Sequence, residues 1–432
     1  MSPAGFVGED RPVLTDLQNC IHCGFCLPTC PTYIATGQEL ESPRGRLHLI
    51  RNVLDEKVAP TPALLGHLDL CLQCRACETA CPSGVPYGRI MEDARASIMD
   101  RGVTGRPLGW SLRALVLRHV IARPKVLAAV FGLGRVYSRS GLQALVRSRL
   151  GRVLPARLRA IESQAPVVAA APYRDRGTLA HPADPRGRVA LLTGCVHGEL
   201  YPEVHRATVR VLDRLGFEVV APPEQGCCGA LHVHAGDAEV ARGLGRTNIE
   251  AFERAGVDYV LVNAAGCGAA MKEYGRLLRH DPAYAKRAEH FAATVQDITE
   301  FVAAQPFAEA GLGPVEEDVT IQDACHLAHA QKIRSAPRQI LRAIPGLRLR
   351  ELATPDRCCG AAGLYTMVQA DMSKQVLAAK LEDLRTTGAR VIATSNPGCA
   401  MQLENGVRRD GLPVRVQHVI ELLDASYTAA RQ

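Results

Sequence analysis

The sequence has no run of about 18 apolar residues, so no segment is long enough to cross a bilayer as a helix. Its longest apolar stretch beside a basic region, Val126 to Gly134, falls well short. The first residues, MSPAGFVGEDRPVLTDL, put acids where a secretory leader needs a basic start and an apolar run. A chain without a leader is expected in the reducing cytoplasm, where its sixteen cysteines are not expected to pair as disulfides. Nucleotide chemistry lacks its loops: there is no G-x-G-x-x-G behind a predicted strand and no G-x4-G-K-[ST]. No H-E-x-x-H occurs either. Aromatics are scarce at 4%, yet 47% apolar and 22% charged residues give a folded chain with a sizeable core rather than a disordered one. At about 150 residues per domain, 432 residues imply two to four domains.

Acidic residues are missing from residues 101–160, which carry thirteen Arg or Lys. The remainder has 38 basic and 44 acidic residues, so this one segment supplies the whole net charge of +7. Leu108, Trp110, Leu112, Leu115, Leu117, Val120, Ile121, Leu127, Val130 and Phe131 interleave with the charges. The pattern predicts basic amphipathic helices, broken near Pro124 and around Gly132 and Gly134. Three roles fit: contact with an anionic membrane surface, docking of an acidic partner subunit, or a helix pair packed on the chain with its Arg face in water. Nucleic acid is not expected, because the other segments are net acidic and carry no recognised motif.

The cysteines divide the chain. Residues 1–100 hold eight, residues 101–187 none, and residues 188–432 the other eight. The stretch from Ala165 to Gly187, rich in Pro, Arg and Ala, reads as a linker. The C-terminal eight form an internal repeat. Cys195 matches Cys325 at an offset of 130, Cys227 and Cys228 match Cys358 and Cys359 at 131, and Cys267 matches Cys399 at 132. Both doublets are followed by glycine, Gly229 and Gly360. Strand, helix, strand, doublet, helix, strand is the expected order in each copy, with strands at 218–221 and 349–352 and long helices at 238–255 and 372–387. Such alternation predicts an α/β layer with parallel pairing, and single cysteines just past the carboxyl ends of strands, where such sheets place ligands. The predicted layout is 1–100, 101–187, 188–317 and 318–432.

Cys20, Cys23, Cys26 and Cys30 spell C-x2-C-x2-C-x3-C-P, and Cys71, Cys74, Cys77 and Cys81 repeat it without deviation. This is the ligand spacing of bacterial two-cluster ferredoxins, in which the fourth cysteine of each motif crosses to the other cluster. It predicts two [4Fe-4S] clusters, one on Cys20, Cys23, Cys26 and Cys81, the other on Cys71, Cys74, Cys77 and Cys30. Between the motifs, Ser42-Pro43 and Thr61-Pro62 read as helix starts. Leu47, Ile50 and Leu54 then fall on one helical face, and Leu64, Leu65 and Leu68 lead into Cys71. The module is therefore expected to be mostly helical. The arginines of Ser42-Pro-Arg-Gly-Arg46 are expected to be solvated at the head of a helix, and His22 and Arg75 to be exposed. His232, His234, His326 and His329 follow cysteines closely and are expected on the surface or in the core rather than as ligands. Clusters move single electrons, whereas oxidising a C–H bond removes two through a hydride acceptor, so a separate flavin-bearing subunit is expected.

Two such motifs followed by two CCG repeats make the chain resemble the iron–sulfur subunits of bacterial glycolate oxidase, also called glycolate dehydrogenase. The likeness runs over nearly the whole chain: Cys20 to Tyr33 (CIHCGFCLPTCPTY), Ser42-Pro-Arg-Gly-Arg46, Cys81-Pro-Ser-Gly-Val85, Gly266-Cys-Gly268, Lys272-Glu-Tyr-Gly275 and His329-Ala-Gln-Lys332. The resemblance implies an α+β multidomain fold, with a mostly helical two-cluster ferredoxin module followed by two tandem α/β cysteine-rich repeats. It further implies a complex with two FAD-type subunits that oxidises glycolate to glyoxylate. Electrons would pass to a membrane quinone on the cytoplasmic face of the inner membrane. D-Lactate and glycerol 3-phosphate dehydrogenases share the architecture, as do heterodisulfide reductases. In that last branch each repeat ends in C-x2-C; here Ala270 follows Cys267 and Gln402 follows Cys399. Cys195, Cys227, Cys228, Cys267, Cys325, Cys358, Cys359 and Cys399 therefore offer four thiols per repeat, for an ordinary cube, one shared cluster, a thiol redox site or no cluster.

Overall fold

The computed structural model describes residues 5–100, 113–148, 153, 155, 162 and 164–431. The predicted apolar positions Leu108, Trp110 and Leu112 lie outside the described residues.

Two parallel sheets carry the C-terminal half. The strands are β1 (Gly177–Ala180), β2 (Arg188–Leu192), β3 (Glu218–Ala221), β4 (Tyr259–Val262), β5 (Val295–Asp297), β6 (Asp318–Ile321), β7 (Arg348–Leu349), β8 (Val391–Ala393) and β9 (Arg415–Gln417). The first sheet runs β1-β3-β2-β4-β5 and the second β7-β6-β8-β9. Register repeats as well: Val189 pairs Val219 in the first sheet as Val319 pairs Leu349 in the second. Strand sequences such as VALL, YVLV and VIA are almost wholly apolar because parallel strands are covered on both faces.

The one antiparallel strand among the described residues, β1, covers the β3 edge of the first sheet and lies inside the stretch read as linker. Four residues, Gly-Thr-Leu-Ala between Arg176 and His181, carry too little alternation to announce a strand. The strand expected at 349–352 is shorter and earlier, Arg348–Leu349. Helix Ala238–Ala255 agrees with its predicted span, and the matching helix of the second repeat runs Ala370–Thr387.

The repeats share one core. Val189 and Leu191 of β2 lie in the same buried cluster as Val319, Ile321, Val391 and Ala393, closed by Val211, Leu212 and Leu423 from helices Pro202–Arg214 and Val419–Ala429. Backbone bonds also cross between the copies, from Ala265 N–H to the Ser395 carbonyl at 3.0 Å.

Residues 5–100 contain helices and no strand among the described residues. Ser42 caps helix Pro43–Leu54 by accepting from Gly45 N–H, and Thr61 caps Pro62–Asp69 by accepting from Leu64 N–H, as Ser-Pro and Thr-Pro predict. Leu47, Ile50, Leu64, Leu65 and Leu68 pack with Ile90, Met91 and Ile98 of helix Tyr87–Asp100.

The basic segment forms a π-helical turn (Leu117–Ile121) and helices Pro124–Arg139 and Leu142–Arg147. Pro124 starts a helix, as predicted, but Gly132 and Gly134 do not break it. One glycine costs a helix only about 1 kcal/mol, which packing on one face offsets. Several of the arginines turn inward. Arg113 pairs with Asp69 at 2.9 Å, Arg118 with Asp237 at 2.6 Å, Arg147 with Glu162 at 2.8 Å, and Arg135 with Glu199. These pairs pack one face of the segment on the chain, while Arg123, Lys125 and Arg139 stay in water. Among the described residues, no helix is long and apolar enough to cross a membrane.

Candidate metal centres

The two N-terminal motifs fold into the same loop. In the first, His22 and Gly24 have φ of 55° and 86°; in the second, Gln73 and Arg75 have 51° and 62°. Left-handed residues at matching positions make each chain segment coil back on itself, so its first three sulfurs share one side of a tight turn. Cys20, Cys23, Cys26 and Cys81 border a cavity holding about 420 Å³ of atom-free space and open to solvent, with Cys77 and Tyr87 along its inner wall. Cys30, Cys71, Cys74 and Cys77 are buried, and Cys77 lies within electrostatic reach of the other three. The fourth cysteine of each motif thus sits with the other motif's loop. Burial raises the Cys26 thiol to about 11, with the nearby Cys20 and Cys30 adding to the rise, and burial holds Cys77 well above its ordinary range. Crowded, desolvated thiols of this kind ionise readily only against a cationic group. All sixteen cysteines are free of disulfides, and Cys20, Cys23, Cys26 and Cys81 around the open cavity are the kind of donor set an iron–sulfur cube takes.

Ser42-Pro-Arg-Gly-Arg46 holds these loops: Arg44 stays at the surface as expected, whereas Arg46 is buried, contrary to the solvated reading. Arg44 donates to the His22 carbonyl at 3.1 Å and pairs with Glu39 at 2.6 Å, tying down the first loop. Arg46 is 1% exposed and pairs with Glu41, itself 8% exposed, at 2.7 Å. It also donates to Thr32 Oγ1 at 3.0 Å and to the carbonyls of Glu41 and His67 at 2.7 and 2.8 Å. Thr32 Oγ1 lies 3.3 Å from Cys30 Sγ, so the guanidinium fixes the residue that orients the crossing cysteine. Gly45 between the two arginines is required by space: a Cβ there would stand 2.0 Å from the Glu39 carbonyl oxygen.

In the repeats, all eight cysteines follow the carboxyl ends of parallel strands, after β2, β3, β4, β6, β7 and β8. Side-chain interactions link Cys195 to Cys227, Cys227 to Cys228 and Cys228 to Cys267 in one quartet. They link Cys325 to Cys358, Cys358 to Cys359 and Cys359 to Cys399 in the other. Gly229 and Gly360 take φ of 81° and 87°, and each donates its N–H to the first sulfur of its doublet, at 3.5 and 3.4 Å. Glycine in the CCG signature therefore serves a left-handed turn that aims backbone N–H at sulfur. The contact with Cys227 holds the Cys195 thiol well above its ordinary range, and burial acts in the same sense.

The two quartets have different neighbours. Cys74 of the buried N-terminal set packs in one cluster with Cys358, whose side chain holds the Cys74 thiol below its usual range. Leu72, Cys74 and Ala76 share a buried cluster with Cys358, Tyr365 and Met372. The first quartet is roofed by the basic segment instead, with Leu117, Ile121 and Leu127 packed around Cys227 and beside Cys195.

Arg75 is not exposed: it pairs with Glu78 at 2.9 Å and with Glu273 at 2.5 Å, joining the helical module to the first repeat. His22 is exposed. His232 is buried against the Leu117 carbonyl at 3.1 Å, and His329 lies between Thr79 Oγ1 at 2.9 Å and the Asp356 carbonyl at 3.0 Å. The rings of His234 and His326 meet at 5.0 Å, tilted by 47°, and His326 Nδ1 lies 3.5 Å from Cys325 Sγ.

Family comparison agrees with this anatomy. Residues 16–85 match a 4Fe-4S dicluster domain, residues 189–272 and 319–404 match a cysteine-rich domain, and residues 111–165 match the linker region of the glycolate oxidase iron-sulfur subunit. The probable glycolate oxidase iron-sulfur subunit of Bacillus subtilis (strain 168) is 39% identical over 416 residues, 94% of this chain and 93% of that one. The chain belongs to the glycolate oxidase iron–sulfur subunit family. The Escherichia coli (strain K12) member is 36% identical over 411 residues, 94% of this chain and 93% of its own. Lactate utilization protein A of an Exiguobacterium species is 31% identical over 237 residues, 55% of this chain and 96% of its own.

As a glycolate oxidase iron–sulfur subunit relative, the chain is an iron–sulfur protein of the ferredoxin and CCG type. The positions where a fifth cysteine would stand are apolar or already engaged. Ala270 lines a small space between modules together with His234 and His326, and buried Gln402 donates to Ser373 Oγ at 2.9 Å.

Proposed function

We propose that this chain is the electron-transfer subunit of a glycolate dehydrogenase complex, accepting electrons from a flavin subunit that oxidises glycolate to glyoxylate and passing them towards a membrane quinone. The observation that carries the reading is the serial placement of its sulfurs. An outer set at Cys20, Cys23, Cys26 and Cys81 borders an inner set at Cys30, Cys71, Cys74 and Cys77, which in turn touches the second quartet through Cys74 and Cys358. We assign one [4Fe-4S] cluster to each N-terminal set and a further cluster or redox site to the quartets. When bound, such clusters supply reversible one-electron storage. The chain's own residues hold the sulfurs in register through Arg44 and Arg46, keep water from the inner set by burial, and leave Cys23 exposed. Around Cys23, Ile21 is 67% exposed and Phe25 62% exposed, which suits the face offered to the flavin subunit.

Anaerobic co-purification with the flavin subunits, followed by iron analysis and glycolate-dependent dye reduction, tests this. About eight irons per chain fit two cubes, and twelve or more add one at the quartets. A flavin-containing complex that ignores glycolate but reduces dye with D-lactate would move the substrate without removing the role. Zinc in place of iron would end it.

A further inference from the structure

The basic segment has two faces, and only the inner one is used by the contacts above. Along helix Pro124–Arg139, Leu127 is buried towards the first quartet and Arg135 pairs with Glu199 on the same side. On the other side Val126, Val130, Leu133 and Val136 are exposed, at 38%, 48%, 72% and 66%. Their spacing of four, three and three places them in one stripe. The next helix, Leu142–Arg147, exposes Leu142 and Leu145. Arg123, Lys125 and Arg139 are exposed around the stripe. None of residues 101–160 is acidic.

We propose that this outer face is a lipid-binding surface, on which the helix lies flat with its aliphatic stripe among the acyl chains and its cations among anionic headgroups. Sixteen residues span about 24 Å as a helix, and the ion pairs on the inner face hold it along the protein, so it lies on a bilayer rather than crossing it. The chemistry favours lipid over protein. Charge of a single sign beside the stripe matches an anionic leaflet. The exposed stripe of Val126, Val130, Leu133 and Val136 is aliphatic and carries no polar group that would need a specific partner. The consequence rests on the proposed function: a lipid-dissolved acceptor at this face would stand about one helix diameter, about 10 Å, from Cys195 and Cys227.

Flotation of the anaerobically reconstituted full chain with vesicles tests the surface separately from turnover. Vesicles of phosphatidylcholine alone are compared with vesicles containing phosphatidylglycerol. The expected result is flotation with the anionic vesicles, weakened by high salt, and at least about tenfold weaker for Val130→Asp/Leu133→Asp at unchanged iron content. Should that variant lose iron or fold, Lys125→Glu/Arg139→Glu, altered only at exposed positions, is expected to lose the preference for anionic vesicles. Absence of flotation by the parent chain, or equal flotation of both variants and the parent, overturns the proposal. So does loss of flavin-subunit co-purification in Val130→Asp/Leu133→Asp with vesicle binding intact, which would assign the face to protein. Failure of glycolate-dependent dye reduction, with flotation as expected, would remove the proposed substrate and leave the surface standing.

Discussion

Replacing Arg46 by methionine removes the one cation that reaches Thr32, the Glu41 carbonyl, the Glu41 carboxylate and the His67 carbonyl together. Glu41 keeps His67 Nδ1 at 2.5 Å but loses its fully charged partner while only 8% exposed. Breaking a buried ion pair from one side costs about 3–5 kcal/mol, because the remaining charge stays desolvated. That is roughly a 10²- to 4 × 10³-fold rise in local opening of the segment carrying Cys30. The assay is iron release to a chelator under anaerobic conditions, with amide exchange of residues 31–54 read in parallel. Release is expected to accelerate by about that factor in Arg46→Met. Removing both charges, Arg46→Met/Glu41→Gln, is expected to restore much of the loss, because neither partner is then left charged and alone. Release within about threefold of the parent, or a double variant as labile as the sum of the single changes, would refute the reasoning.

Cys81→Ser is expected to abolish the spectroscopic signal of the more exposed cluster and Cys30→Ser that of the buried one; loss of the same signal in both would contradict the crossed assignment. Gly45→Ala should prevent accumulation of folded protein, since its methyl meets a backbone oxygen at 2.0 Å; normal yield and thermal unfolding would speak against it. Gly360→Ala is expected to unfold at lower temperature than Gly229→Ala. Both glycines are left-handed, costing alanine about 1–2 kcal/mol, but a Cβ at 360 also meets the Ser373 carbonyl oxygen at 2.7 Å while the nearest atom at 229 is 3.4 Å away. Phe25→Glu should weaken co-purification with flavin subunits while iron content stays at the parent level; an unchanged complex would place that partner elsewhere.

What the sequence made legible was local. Ser42-Pro43 and Thr61-Pro62 start helices because a hydroxyl cap and a fixed proline φ act within four residues. The repeat was readable because its cysteines keep offsets near 130 while apolar strands recur around them. What escaped depends on partners far along the chain. Arg46 looks like a surface arginine until Glu41 and Thr32 are folded around it. Arg113 and Arg118 read as membrane-facing or solvated charge because Asp69 and Asp237 lie 44 and 119 residues away. The contact of Cys74 with Cys358 spans two modules and leaves no trace in spacing.

The two sheets also differ in how they end. In the first, β1 lies antiparallel along β3 and uses up its outer hydrogen-bonding groups. In the second, the matching outer strand β7 has no such cover among the described residues and is only two residues long, with Arg348 and Arg350 both held by Asp318. A short rim studded with cations offers a poor template for strand addition by another molecule. The duplicated half that lacks a covering strand is protected against self-association by brevity and charge, so lengthening that rim with uncharged β-branched residues would invite aggregation without touching a single sulfur.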